Sequence, residues 1–573
     1  MKWSTLFRVK TVFPDQVDSL SLKRVFGVRD LTFFGIAAII GGGIFSSVGK
    51  ACFDGGPAVV YLFILCGIAC AFAAMCYAEF ASRIPISGSA YTYAYASFGE
   101  LFAWIIGWAL IMEYAIGNIY VAFAWSGYVV HLLDQFVYVL PRWLVTDWSS
   151  AHDAFKHANS TTVNFDSLMA YKLSPRLAGF HIVFDAPALI INLLITMLVY
   201  RGVKESRNAT NAMVILKLIV IVLVIVVGVF YVDISNYKPF LPRGFGGVMA
   251  GISAVFFTYI GFDAVSTMAE ESHNPQRDLP KGMFYSLLIC TILYVLIAIV
   301  LTGMVPYTAL GVIDPLAYAM AEKGILWMEL LVSVVAVIAM ASVLLIFQMG
   351  QPRIWLSMAR DGLLPPAFAK VHPKYKTPSF ATIVTGILVG LPILFTNENF
   401  VLDFTSIGTL FAFVLVCGGV LMLKPRKEND RKGFLMPFVN AQYLFPLLII
   451  ASIVTVQLTL PNYFFELLTP ANWNKIFWFS NGVYWLFLLT MASLSFFRQW
   501  SLIPLVGVSI CAYLLTGMKS NNWYWFLGWL ALGLCVYFLY GYRKSKLAIS
   551  QCFAKEIELR KDVAKIRKNE DIL

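Results

Sequence analysis

The sequence predicts an all-α membrane protein, and three observations predict it. Of its 573 residues 59% are hydrophobic and only 13% charged, against about 25% charged in an ordinary globular domain. Fourteen apolar runs approach or exceed the roughly 20 residues that a helix needs to cross hydrocarbon. The 43 Lys and Arg collect in alternate connections between those runs. Together these features exclude a nucleic-acid binder, a disordered chain and a cytosolic enzyme of several domains. The nine cysteines lie mostly inside apolar runs, with no CxxC pair and no neighbouring His cluster. Neither a metal site, a disulfide framework nor a cofactor site is indicated.

The runs, numbered one to fourteen in chain order, lie near 31–52, 57–81, 99–131, 182–200, 211–232, 247–269, 283–304, 326–350, 379–396, 401–423, 441–460, 476–497, 501–517 and 523–541. Each is expected to be helical, because hydrocarbon offers no water to the backbone and a helix satisfies its own N–H and C=O groups. The first thirty residues are polar and end in no small-residue cleavage site, so they read as a cytoplasmic leader rather than a signal peptide. With residue 1 inside, 32 of the 43 Lys and Arg fall on inside segments, and since such residues resist translocation, both termini are assigned to the cytoplasm. The net charge of +11 then reflects topology and attraction to lipid, with no acidic partner required. The outside connection 134–181 is expected to form a short cap. Its Asn159-Ser160-Thr161 sequon is given no functional weight. The basic tail 542–573 reads either as a surface or partner helix or as a solvated charged segment.

Run one reads LTFFGIAAIIGGGIFSSVGKA, with Gly41, Gly42 and Gly43 at its middle. Three adjacent glycines cost a continuous helix about 1 kcal/mol each relative to Ala, so a break is expected. The second half-helix would then present free N–H groups and the positive end of its dipole to the gap, a setting suited to a carboxylate. Close packing of helices through small residues is the alternative reading. Run three carries Glu113 in LIMEYAIG, which reads as a partner for another buried charge, a gating carboxylate or a structural hydrogen-bonded acid. Run five holds Lys217 with apolar neighbours for at least a turn on either side; it must be paired, solvated or neutral. A lysine that alternately faces a site and the cytoplasm can load and release a proton, and a structural lysine bound to carbonyls is the alternative. Run six has Thr258 to Gly261 near its centre, followed by a charged, proline-closed exit, and Asp263 is suited to cap its second half. Interruptions in runs one and six, separated by five helices, point to an inverted-repeat transporter with a site at the membrane midplane.

The quoted segments resemble the amino acid, polyamine and organocation (APC) superfamily, and within it the cationic amino acid transporter family. The match runs from GIAAIIGGGIF through YAEFASRIPISGSAYTYAYASFGE, LIMEYAIG, Lys217 and FFTYIGFDAVSTMAEESHNPQRDLPKG to PRIWLSMARDGLLP, over roughly residues 20 to 424. The resemblance implies a five-plus-five inverted repeat of the leucine-transporter type. Its parts would be an N-terminal segment (1–30), a ten-helix core (31–424) with helices one and six broken, a cytoplasmic linker with four peripheral helices (425–541), and the tail. It also implies a free L-amino acid as substrate. The carboxylate would meet the N–H groups of Gly42 and Gly43, beside Ile39, Ile40 and Gly41, and the ammonium would meet the carbonyls of Phe257, Thr258 and Ile260, with Phe257 as aromatic roof. Lys217 stands where sodium-coupled relatives of this fold hold sodium, so its ammonium would take that ion's place and make the coupling proton-based or absent, with Glu113 the next candidate. Run eight offers no acid to a cationic side chain and carries bulky Val343, Leu344 and Ile346, which favours neutral substrates.

The expected function is therefore secondary transport of amino acids at the cell membrane, coupled to protons. An exchanger with Lys217 structural is the alternative, and a small helper subunit is compatible with either. An embedded enzyme would need a nucleophile or metal ligands that the sequence does not offer, and a channel would need a charged ring.

Overall fold

Every apolar run is helical in a computed structural model that describes residues 8–9, 26–84, 89–136, 139–157, 165–177, 180–202, 207–423, 434–470, 473 and 476–548. Ten helices are long and apolar enough to cross a membrane, and an eleventh span counts as a bent pair. Three more runs, at Ala186–Arg201, Ser379–Ile393 and Leu502–Thr516, form helices shorter than that. Most of the leader, residues 85–88 of one quoted segment, the Asn159 sequon, residues 424–433 and the tail from residue 549 lie outside the described residues.

Burial sorts the helices. The helix of run three, Glu100–Gln135, is 94% buried over its most apolar stretch, and that of run six, Ile252–Ala269, wholly so. By contrast the helices of runs eleven and twelve, Ala441–Thr459 and Trp478–Arg498, are 17% buried and present most of their apolar surface outward, as a lipid-facing helix must. They share a small core of Ala441, Phe445, Ile449, Leu488 and Leu505 that is separate from the main one. The connection after run three does form a cap, from helices Trp148–Lys156 and Phe165–Leu173 and a two-residue antiparallel ladder. Asp147 starts the first of these by accepting the Ser150 N–H at 2.7 Å, the usual remedy for an orphaned helix N-terminus.

Both anticipated interruptions are present. Run one is helical from Val28 to Ile39, turns extended at Ile40, and resumes from Gly43 to Gly55 with a bend of 43°. Run six is helical from Gly244 to Phe257 except at Gly251, turns at Thr258 to Gly261, and continues as a 3-10 helix over Phe262–Glu271. Gly261 has φ +112°, a conformation open to glycine at little cost. At one end of the bundle the two broken helices are tied through Phe26, which donates to the Glu271 carbonyl at 3.1 Å and accepts from the His273 N–H at 3.0 Å.

Near that end, Glu100 at the start of the run-three helix is fully buried. It accepts from Tyr95 (3.1 Å), Tyr537 (3.0 Å) and Ser545 (2.6 Å), with the Arg8 guanidinium 3.8 Å away. One carboxylate thus ties the core to the last helix. Glu100→Leu removes the acceptor of three hydroxyls, at about 1–3 kcal/mol for each group left buried and unpaired. It is expected to lower the thermal unfolding midpoint of the purified protein, and Glu100→Gln to lower it less.

Candidate functional site

The two breaks face each other at close range. A Cβ added at Gly43 would lie 2.8 Å from the Thr258 Cα, and one at Gly261 would lie 2.9 Å from the Ala38 carbonyl oxygen, nearer than real side-chain atoms come. Gly42 faces Tyr120 and Val121 of run three, and Gly41 faces Val343 of run eight. The glycines therefore do two things: they interrupt a helix and let three others, runs three, six and eight, converge on the interruption. All of Ile39, Ile40, Gly41, Gly42, Gly43, Phe257, Thr258 and Ile260 are buried around this gap. The first N–H groups of the resumed helix have no preceding turn to bond. On the other side the Phe257 carbonyl accepts the Ile260 N–H at 3.2 Å, while those of Thr258 and Ile260 take no backbone hydrogen bond within the turn. The gap thus has donors on its run-one wall and acceptors on its run-six wall, which is the pattern of an amino acid's own carboxylate and ammonium.

Lys217 is fully buried and reaches the far side of the same break. Its Nζ donates to the Ile40 carbonyl at 3.0 Å, the Ala37 carbonyl at 3.4 Å and the Ser342 hydroxyl at 2.7 Å. Ser342 in turn donates to the Ala339 carbonyl at 2.8 Å, so its oxygen is left to accept. Three acceptors use all three donors of an ammonium, and a neutral amine has only two. The Ile39 carbonyl, between those two, accepts from Tyr294 of run seven at 3.2 Å. Lys217 and Tyr294 together thus meet three of the carbonyls at which the first half-helix ends, those of Ala37, Ile39 and Ile40. Tyr294 and Ser342 carry no sequence signal of this role, since each is one hydroxyl in an apolar run.

Glu113 stands elsewhere. No carboxylate contacts the Lys217 ammonium among the described residues, so of the readings open to Glu113 a pairing with Lys217 is not the one seen. Glu113 instead lies near Asp263 and Thr409, and each of the two acids keeps one buried oxygen without a partner. The Tyr77 and Tyr114 hydroxyls beside them are also unpartnered. The Asp263 carboxylate faces the backbone N–H groups of Gly261 and Ala264, consistent with capping the resumed helix.

The surroundings of the gap are asymmetric. Toward the end that carries Gly55 it is sealed: Phe257 meets the Tyr120 ring edge to face at 4.4 Å, Tyr128 donates to the Phe45 carbonyl at 2.6 Å, and Ser46 bridges Tyr120 and Glu398 at 3.1 Å each. Toward the end that carries Val28, a small cleft opens between runs one, three, six and eight, lined by Phe34, Tyr114, Thr267, Met268, Met349 and Arg353. The Arg353 guanidinium stands 3.5 Å from Glu271, spanning runs eight and six.

Comparison with known proteins agrees with this geometry. The amino acid permease family model matches residues 26–491. The chain is 36% identical to the branched-chain amino acid permease BcaP of Bacillus subtilis, over 92% of this chain and 95% of that one. It is also 36% identical to the methylthioribose transporter of Bacillus subtilis, over 95% and 99%. The chloroplastic cationic amino acid transporter 9 of Arabidopsis thaliana is 36% identical over 72% of this chain and 68% of its own.

Because Gly43 abuts the Thr258 backbone, even Gly43→Ala must part the two breaks, and Gly43→Val must fill the gap. Both are expected to abolish substrate binding in a thermal-shift titration while membrane insertion is retained. Gly324→Ala puts its methyl in open space, and although its positive φ makes the change mildly strained, it is expected to leave binding intact.

Proposed function

The chain belongs to the amino acid permease family, and from that premise we propose that it takes up free L-amino acids together with protons by alternating access. At the coarser level it is an integral membrane transporter and not an enzyme. The finer reading rests chiefly on the Lys217 ammonium seated on the Ile40 carbonyl. The core would be a five-plus-five inverted repeat with the last four helices peripheral and both termini cytoplasmic. On that orientation the sealed side of the gap is external and the cleft is the cytoplasmic exit.

In this mechanism the substrate carboxylate takes the N–H groups of Gly42 and Gly43, and its ammonium takes the carbonyls of Thr258 and Ile260. Protonated Lys217 holds the end of the first half-helix in place, as a bound cation would. When it gives up the proton, one of its three donors is lost and the carbonyls of Ala37 and Ile40 compete for what remains. The half-helix is then free to swing, which widens the cleft and lets the substrate leave. Glu113 is the second candidate for carrying the proton, with one buried oxygen unpartnered and Asp263 near it. The bulk of Val343 against Gly41 favours small or neutral side chains, and the name of the branched-chain permease relative is in keeping with this.

Lys217→Met keeps the volume and removes the proton. In proteoliposomes with an imposed inside-alkaline gradient, the variant is expected to equilibrate substrate without accumulating it, and Lys217→Arg to stall net flux. Accumulation by Lys217→Met with an unchanged pH dependence would take the coupling role from Lys217 and make Glu113 the next candidate. For specificity, uptake of labelled alanine is expected to be competed by neutral amino acids and weakly by arginine; the reverse order would show that the acids of runs three and six read a cationic side chain.

A further inference from the structure

The connection between runs seven and eight folds over the resumed half of run one. Gly49 of that half-helix packs against the Leu310 carbonyl and Pro315, and Gly311 against the Phe53 ring. This connection ends in the helix Pro315–Glu322, whose N-cap residue is Asp314. An N-cap aspartate ordinarily turns its carboxylate onto its own helix, but this one makes no such bond. It points instead to His131 near the end of the run-three helix. The His131 Nδ1 meets the Asp314 carboxylate, and its Nε2 meets Glu329 of run eight at 2.8 Å. Gln135, one turn along from His131, donates to the same Glu329 oxygen at 2.6 Å.

The ring hydrogen-bonds Glu329 through Nε2 and stands in ion-pair contact with Asp314 at Nδ1, and an imidazole set between two carboxylates is favoured as imidazolium, the form with a proton on both nitrogens. We propose that His131 is a proton-dependent latch, which holds the connection closed over the sealed side of the gap and releases it when the ring loses a proton. The groups facing the ring are Asp314 from the connection and Glu329 from run eight. Tyr128, one turn inward on run three, also faces Asp314 and donates to Phe45 of the resumed half-helix. Asp134 is engaged by Arg142 at 3.5 Å. A released neutral ring keeps at most one of the two carboxylates as an acceptor, and the other is left near it without a donor. Closure takes up a proton that opening does not need, so by linkage lower pH favours the closed connection and higher pH the open one. The assignment of this face to the outside rests on the transport reading above; the latch itself does not.

Pulsed electron-electron spin resonance on protein labelled at exposed Thr308 and Phe136 reads the separation of the connection from run three without reference to transport. Between about pH 6 and about pH 9.5, a range that brackets the ordinary titration of histidine, the wild-type distances are expected to lengthen. The closed-to-open ratio should change about tenfold, the scale of one lost charge-assisted bond. His131→Gln should give the long distances at both pH values and His131→Arg the short ones, with uptake by His131→Gln retained. A wild-type distribution that ignores pH, or a His131→Gln variant that follows pH as the wild type does, would overturn the latch. Loss of transport coupling in Lys217→Met with an intact pH response here would leave it standing.

Discussion

Hydrocarbon offers no hydrogen bonds, and so a helix that stops in the middle of a membrane must find donors for the carbonyls at its end. The first half of run one stops at Ile39, and the carbonyls of Ala37, Ile39 and Ile40 are met by one ammonium and one phenol from two other helices. Everything that can be done at the gap depends on this arrangement. It helps keep the interruption open, since each unmet carbonyl at such depth would cost several kcal/mol. In the proposed mechanism it also makes the position of the half-helix conditional on a group that can lose a proton, which no apolar or permanently charged donor would do.

The convergence of backbone on backbone is the second consequence. Gly43 against Thr258 and Gly261 against Ala38 bring two interrupted helices to a distance that side chains would forbid. Donors from one break then face acceptors from the other. An amino acid's invariant part can be read in this way by main chain alone, leaving its side chain to the residues around it. The face on one side of the gap is packed shut by Tyr120, Phe257, Tyr128 and Glu398, whereas a small cleft opens between runs one, three, six and eight toward the other end.

Much of this was legible in the sequence, for physical reasons that differ by element. Three glycines in an apolar run are visible because nothing else in a helix costs so much, and Lys217 is visible because a charge at that depth needs a reason. The break at Thr258 to Gly261 was readable from its glycine and its charged exit, although its φ of +112° was not. What the sequence concealed is which way helices face. Among the roles open to Glu113, as partner of a buried charge, gating carboxylate or structural acid, the sequence could not choose, and the packing of run three turns it to Asp263. Tyr294 and Ser342 are ordinary residues until the fold sets them beside the break, and the same holds for His131, whose two carboxylates lie about 180 and 200 positions further along the chain. Helix lengths were also only partly readable, since runs four, nine and thirteen yield helices too short to pass as ordinary spans.

The most direct measurement is a structure of the protein with an amino acid bound. The account predicts the carboxylate within hydrogen-bond distance of the Gly42 and Gly43 N–H groups, the ammonium on the Thr258 and Ile260 carbonyls, and the Lys217 ammonium still on Ile40. Substrate held in the cleft by Arg353 with the two breaks closed on each other, or a Lys217 side chain displaced from run one while the substrate is occluded, would contradict it.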